Sequence, residues 1–197
     1  MGILFLPGAV AAPAHVEAST TPAPASPALD EPSPKKVATV REVATNSYLL
    51  KLTAYNAVPE QTDGDPSTTA SGISSNPEVI AARSLDLKEA LPFGTVVLIT
   101  REGKDTPACN FSKVEHLIGY RVIADTMNAR FTKRVDVEFD STDRVTVAGR
   151  SINPGIALGV CSEVKVKVVG HIPLSRVPDT QAELAAIFAP REIAINK

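Results

Sequence analysis

The chain has 197 residues and a formal net charge of −2, with its 20 basic and 22 acidic side chains interspersed. It offers no concentrated positive face for a phosphate backbone, and with 5% aromatic residues and no Trp it offers no stacking platform for single strands, so nucleic acid is excluded as an expected partner. A chain of this length holds one domain with appendages, and a domain of about 150 residues buries roughly two-thirds of its unfolded surface, enough for a stable core without a metal.

Residues 1–42 read as the remnant of an export signal followed by a linker. Ile3 to Leu6 and Ala9 to Ala12 form a short apolar stretch, and AlaValAla and AlaProAla both fit a small-x-small cleavage pattern, although no Lys or Arg precedes them. The stretch is too short for a membrane-spanning helix, which needs about 20 apolar residues. From His15 to Pro34 the chain is Ala, Pro, Ser and Thr with scattered acids, a composition that predicts an extended, disordered spacer. Such a spacer suits a domain held away from a membrane; a plain disordered tail is the alternative.

Residues 43–171 have the texture of a compact β domain. TyrLeuLeuLysLeuThrAlaTyr from Tyr48, ThrValValLeuIleThr from Thr95, TyrArgValIleAla from Tyr120, ArgValAspValGluPhe from Arg134 and GluValLysValLysValValGly from Glu163 are short β-branched runs, several alternating apolar with polar. Turns are predicted at Pro59 to Pro66, Leu91 to Thr95 and Asn153 to Ile156, where Gly and Pro punctuate the chain. Five or six strands with little helix between them predict a mainly β fold closed into a small barrel, which also removes exposed edges. Two short helices are predicted. One follows Ser141, with Asp143 in its first turn, against the poor helix formers Val145, Thr146 and Val147. The other starts after the Asp179/Thr180 cap in the C-terminal tail, residues 172–197, and runs through Glu183, Leu184, Ile187 and Phe188 to Pro190.

Two cysteines, Cys109 and Cys161, are expected to form a single disulfide if export places them in an oxidising compartment, the alternative being two free thiols. Cys109 falls in the long insertion between Thr100 and Tyr120, where a staple would restrain the loop. His15, His116 and His171 are scattered, and no metal-ligand spacing is present, so neither a zinc site nor a cofactor is expected.

The most informative pair is Asp125 and Asp136, eleven positions apart. Each sits in a strand-like apolar run, Val122 to Ala124 before the first and Val135, Val137 and Phe139 around the second, where a carboxylate is costly unless it has work or partners. They are candidates for acid/base chemistry at a barrel mouth. The alternative is ordinary strand-end residues capped by backbone amides or paired with Arg134, Lys133 or Arg121.

Six short segments follow one another in an order that resembles a known family. They are ThrAlaTyrAsn at Thr53 to Asn56, GlnThrAspGlyAspPro at Gln61 to Pro66, ThrThrAlaSerGly at Thr68 to Gly72, LeuProPheGlyThr at Leu91 to Thr95, AlaAspThr at Ala124 to Thr126 and ArgValAspVal at Arg134 to Val137. The chain from Leu50 to about Gly170 resembles the 3D domain of bacterial cell-wall proteins, a six-stranded double-psi β-barrel related to the catalytic domain of membrane-bound lytic transglycosylase A. The resemblance implies that Asp136 is the acid/base residue and Asp125 its supporting partner, with Asp86 nearest to the family's third aspartate. The chain departs from the family after AspThr: the usual GlyGly, small residue and Lys-Gly pair are replaced by MetAsnAlaArgPheThrLys from Met127 to Lys133. Side chains there approach the site where glycines would not.

The resemblance also implies a sugar groove with Tyr55, Gln61, Asp63 and Thr69 along it, Asp63 and Asp65 having turn chemistry around Gly64 as their alternative. Arg130 and Lys133 are candidate partners for carboxylates on a peptide stem, or charge balance for the aspartates. The expected protein is an exported, monomeric enzyme of the lytic transglycosylase type acting on peptidoglycan in the cell envelope or outside the cell. A non-catalytic, expansin-like wall-binding barrel is the alternative. An aspartic protease is disfavoured because only one AspThr occurs, without the Gly that should follow.

Overall fold

A computed structural model describes residues 46–190 apart from Asp63, and the predicted export signal and linker lie outside the described residues. In chain order the strands are β1 (Ser47–Asn56), β2 (Ile80–Arg83), β3 (Thr95–Thr100), β4 (Tyr120–Thr126), β5 (Arg134–Phe139), β6 (Val145–Val147), β7 (Arg150–Ile152) and β8 (Cys161–His171). Helices α1 (Phe111–Ile118), α2 (Pro154–Leu158) and α3 (Gln181–Phe188) lie between or after them.

Six strands close into a mixed barrel in the order β1-β5-β2-β4-β3-β8. β1 runs parallel to β5 and β2 parallel to β4, and the remaining neighbours are antiparallel. The mainly β fold and the closed six-stranded barrel expected from the sequence are thus present. Period-two alternation sorts each strand's residues between lumen and outer face. Leu50 and Leu52, Ala81, Val97 and Ile99, Ile123, Val135 and Val137, and Val164 and Val166 form one buried cluster drawn from all six strands. Each fully buried Val or Leu side chain contributes roughly 1.5–3 kcal/mol.

The LeuProPheGlyThr segment forms the predicted turn into β3. Gly94 there has φ +86, a Cβ would lie 2.5 Å from the Ile172 carbonyl, and its amide donates to the Ile123 carbonyl at 2.8 Å. Only glycine tolerates both the conformation and the approach. The predicted C-terminal helix is present as α3, begun by a capping box between Thr180 and Glu183. Leu184 is fully buried against Val79, Ile80, Val96, Val122 and Ala124, so α3 covers the outer face of β2, β3 and β4.

The helix predicted after Ser141 is absent. Val145 to Val147 instead pair with Arg150 to Ile152 as the β6–β7 hairpin, the outcome that β-branched side chains favour. α1 and α2 were not expected. α1 fills the insertion before β4, burying Phe111, Val114 and Ile118, and α2 starts at the AsnProGlyIle segment, where Asn153 caps Gly155 and Pro154 occupies the first turn. Cys109 and Cys161 are disulfide-bonded with Cα atoms 4.7 Å apart, joining the insertion to the start of β8.

Candidate active site

The outward faces of β1, β5 and β2 and the end of β4 floor an open cleft of about 700 Å³, bordered by residues of the 57–75 loop and by Thr126 to Phe131. Strand register brings its carboxyl groups together. On β5 the alternation that sends Val135 and Val137 inward turns Asp136 and Glu138 outward. Asp136 lies opposite Thr53 of β1 and Ala82 of β2, and the small side chain of Ala82 borders the cleft beside it.

Asp136 is largely enclosed, and its Oδ1 is buried without a hydrogen-bond partner among the described residues. Burial pushes its carboxyl up to about 6 from the usual value near 3.8. The neighbouring Thr53 hydroxyl and the Arg134 guanidinium oppose that rise, and Asp125 adds to it as the smallest influence.

Asp125 has the opposite surroundings. Oδ1 accepts from the backbone N–H of Ala70 at 2.9 Å and of Thr126 at 2.8 Å, and Oδ2 lies 3.0 Å from the Tyr55 hydroxyl. Together with the Ser71 amide donating to the Ala124 carbonyl, these bonds fasten the 57–75 loop to the end of β4. Every acceptor oxygen of Asp125 is committed, so it is suited to holding the loop and the hydroxyl of Tyr55.

Of the other expected site residues, Tyr55, Gln61, Thr69 and Arg130 line the same cleft. Gln61 accepts the Asn56 amide through Oε1, and the Thr69 hydroxyl donates to the Ile73 carbonyl, so both also shape the loop. Arg130 and Arg134 lie over the Phe131 ring, their guanidinium carbons 4.8 and 4.6 Å from its centre. Asp63 lies outside the described residues.

Asp86 and Lys133 do not line the cleft. They meet elsewhere: the Lys133 amide donates to both oxygens of Asp86, at 3.2 and 3.0 Å. Lys133 has φ +48, a left-handed conformation uncommon for a residue with a side chain, and the Asp86 carboxylate clamps it there. The Ser84 hydroxyl and this amide hold Asp86 below the usual carboxylate range. Arg121, offered above as a partner for the aspartates, is fully buried and spends its guanidinium on the carbonyls of Leu117, Ile118, Pro77, Ile80 and Glu138.

Sequence reasoning did not single out Glu138. It is fully buried, its Oε1 accepts from Ser75 Oγ at 2.5 Å, and its Oε2 lies 3.2 Å from the Tyr55 hydroxyl. The signal was available: on a strand, the residue two beyond Asp136 shares its face.

Among the described residues no His, Cys, Asp and Glu cluster is arranged to hold a metal, and no helix is long and apolar enough to cross a membrane. The chain matches no protein-family model and no curated protein sequence. What the cleft offers chemically is a carboxyl raised to about 6 beside a carboxylate whose two oxygens are both hydrogen-bonded.

Proposed function

We propose that the chain is an exported peptidoglycan lytic transglycosylase of the 3D-domain type, cleaving the bond between N-acetylmuramic acid and N-acetylglucosamine and leaving 1,6-anhydro ends. One observation carries the reading: Asp136, with its carboxyl pushed up to about 6 and one oxygen unpartnered, on the floor of an open cleft. The closed barrel with two parallel strand pairs supports the double-psi assignment.

Ordinary glycosidases pair an acid with a nucleophile or a base for water. Here a single carboxyl suffices because the nucleophile belongs to the substrate. Asp136 protonates the glycosidic oxygen, the bond to the anomeric carbon breaks, and the resulting carboxylate accepts the proton of the C6 hydroxyl as that oxygen closes on the anomeric carbon. The proton lost in the first half returns in the second, and no water is consumed. Intramolecular attack also avoids orienting a separate nucleophile. A pKa near the working pH serves both halves.

The test is mass analysis of soluble products from purified peptidoglycan treated with the protein. Anhydro-muropeptides, one water lighter than hydrolytic products, support the reading. Binding to peptidoglycan without release of anhydro sugar at any pH replaces it with the wall-binding barrel.

A further inference from the structure

The Tyr55 hydroxyl lies between two carboxyl groups, 3.0 Å from Asp125 Oδ2 and 3.2 Å from Glu138 Oε2, yet it has one proton to give. If both carboxyls were anions, one of these short oxygen pairs would face lone pair against lone pair in a buried site, which is costly. Ser75 cannot supply the missing proton, because its hydroxyl is already committed to the other oxygen of Glu138.

We propose that Glu138 is held as a neutral carboxylic acid and is a positioning residue for Asp125: its Oε2–H donates to Tyr55 Oη, which in turn donates to Asp125 Oδ2. The direction of the chain follows from the surroundings of its two ends. Asp125 already accepts two backbone N–H groups, a set that suits the anion, and it stands at the cleft. Glu138 has no exposed surface. The groups that face it are Tyr55 from β1, Ser75 from the loop, and Asp125 and Arg121 from β4; the Arg121 guanidinium hydrogen-bonds the Glu138 backbone carbonyl at 3.2 Å. Burial leads in holding the Glu138 carboxyl above its usual value, and burial together with both neighbouring carboxylates keeps Tyr55 protonated. The chain fixes Tyr55 in the cleft wall and aims one lone pair of Asp125 away from substrate. Its consequence for catalysis rests on the proposed function; its protonation pattern does not.

Isotope-edited infrared spectroscopy of the full chain with labelled glutamate reads that pattern directly. At neutral pH the wild type is expected to show a protonated-carboxyl stretch that is lost in Glu138→Gln and retained in Asp136→Asn. Tyr55→Phe should shift the band, since the hydroxyl that accepts the proton is gone. Glu138→Gln, whose amide N–H replaces the acid's O–H, should keep any glycan-cleaving activity within a few-fold, whereas Glu138→Leu should lower it about tenfold or more and broaden the loop's resonances. Absence of a Glu138-dependent band at neutral pH overturns the proposal, as does a band that Tyr55→Phe leaves unmoved. A protein that shows the band but releases no anhydro sugar sinks the proposed function and leaves this inference standing.

Discussion

The two ends of the cleft treat a carboxyl group in opposite ways. At the β4 end Asp125 meets two backbone N–H groups and the Tyr55 hydroxyl, so its charge is fully solvated by protein. At the β5 end Asp136 is half-buried, its Oδ1 enclosed and unpartnered among the described residues, and its charge is penalised. The contrast suits the two groups to different roles: a carboxylate with both oxygens engaged can organise the wall, and one left short of partners holds its proton to a higher pH than an ordinary aspartate.

The sharpest way to break that contrast is Asp136→Asn, which keeps the shape and removes the transferable proton. Glycan cleavage is expected to fall by roughly 10² to 10⁴ with the fold intact, as followed by release of anhydro-muropeptides and by circular dichroism. Near-normal cleavage would dissolve the distinction between the two aspartates.

A second large effect concerns stability alone. The Cys109–Cys161 bond closes a loop of 52 residues and lies at the insertion, not in the cleft lining. Its removal by a double Cys→Ala change is expected to cost about 2–4 kcal/mol in denaturant unfolding. Because the cleft is built by other residues, cleavage by the folded fraction should stay near normal.

Third comes pH. Asp136 has a folded pKa of about 6 against 3.8 in a solvated chain, so between these values the folded state holds more proton than the unfolded one. Stability therefore falls as pH rises through that window, by on the order of 2–3 kcal/mol, and stays lower above it. Asp136→Asn should remove the Asp136 share of this slope and be the more stable protein at neutral pH, while at pH near 3 the two should unfold alike. Glu138, also raised, contributes in the same direction. Urea midpoints across the acid range measure this.

The smallest expected effect is that of Asp125→Asn on Asp136. Since Asp125 is the least of the influences on it, the Asp136 midpoint should move down only slightly. Loss of the anion should instead loosen Tyr55 and the 57–75 loop, visible as faster amide exchange at Ala70 and Ser71.

How much of this was legible in the sequence follows from which forces act locally. The strands at Tyr48, Thr95, Tyr120, Arg134 and Glu163 were readable because β-branched alternation is a property of neighbours along the chain. The capping box at Thr180 and Glu183 was equally local. β2 was missed because IleAlaAlaArg is buried throughout, Arg83 included, and carries no alternation. α1 hides its amphipathic face in eight residues, and AsnProGlyIle reads as a turn as readily as a capped helix start. At the candidate site, Asp125 and Asp136 were singled out by their setting and Tyr55 by the family resemblance, and the three line one cleft. Asp86 was placed with them by its position relative to a motif, but its oxygens turn to the Lys133 amide. Glu138 required knowing that parallel pairing of β1 with β5 sets it opposite Tyr55, a contact 83 positions apart.

The account stands most directly on the titration of the Asp136 carboxyl, measured by carbon NMR on aspartate-labelled protein with Asp136→Asn to assign the signal. A midpoint near 6, shifted only slightly in Asp125→Asn, is the predicted result. A midpoint near the ordinary 3.8 would contradict it, because Asp136 would then hold no proton to give at neutral pH.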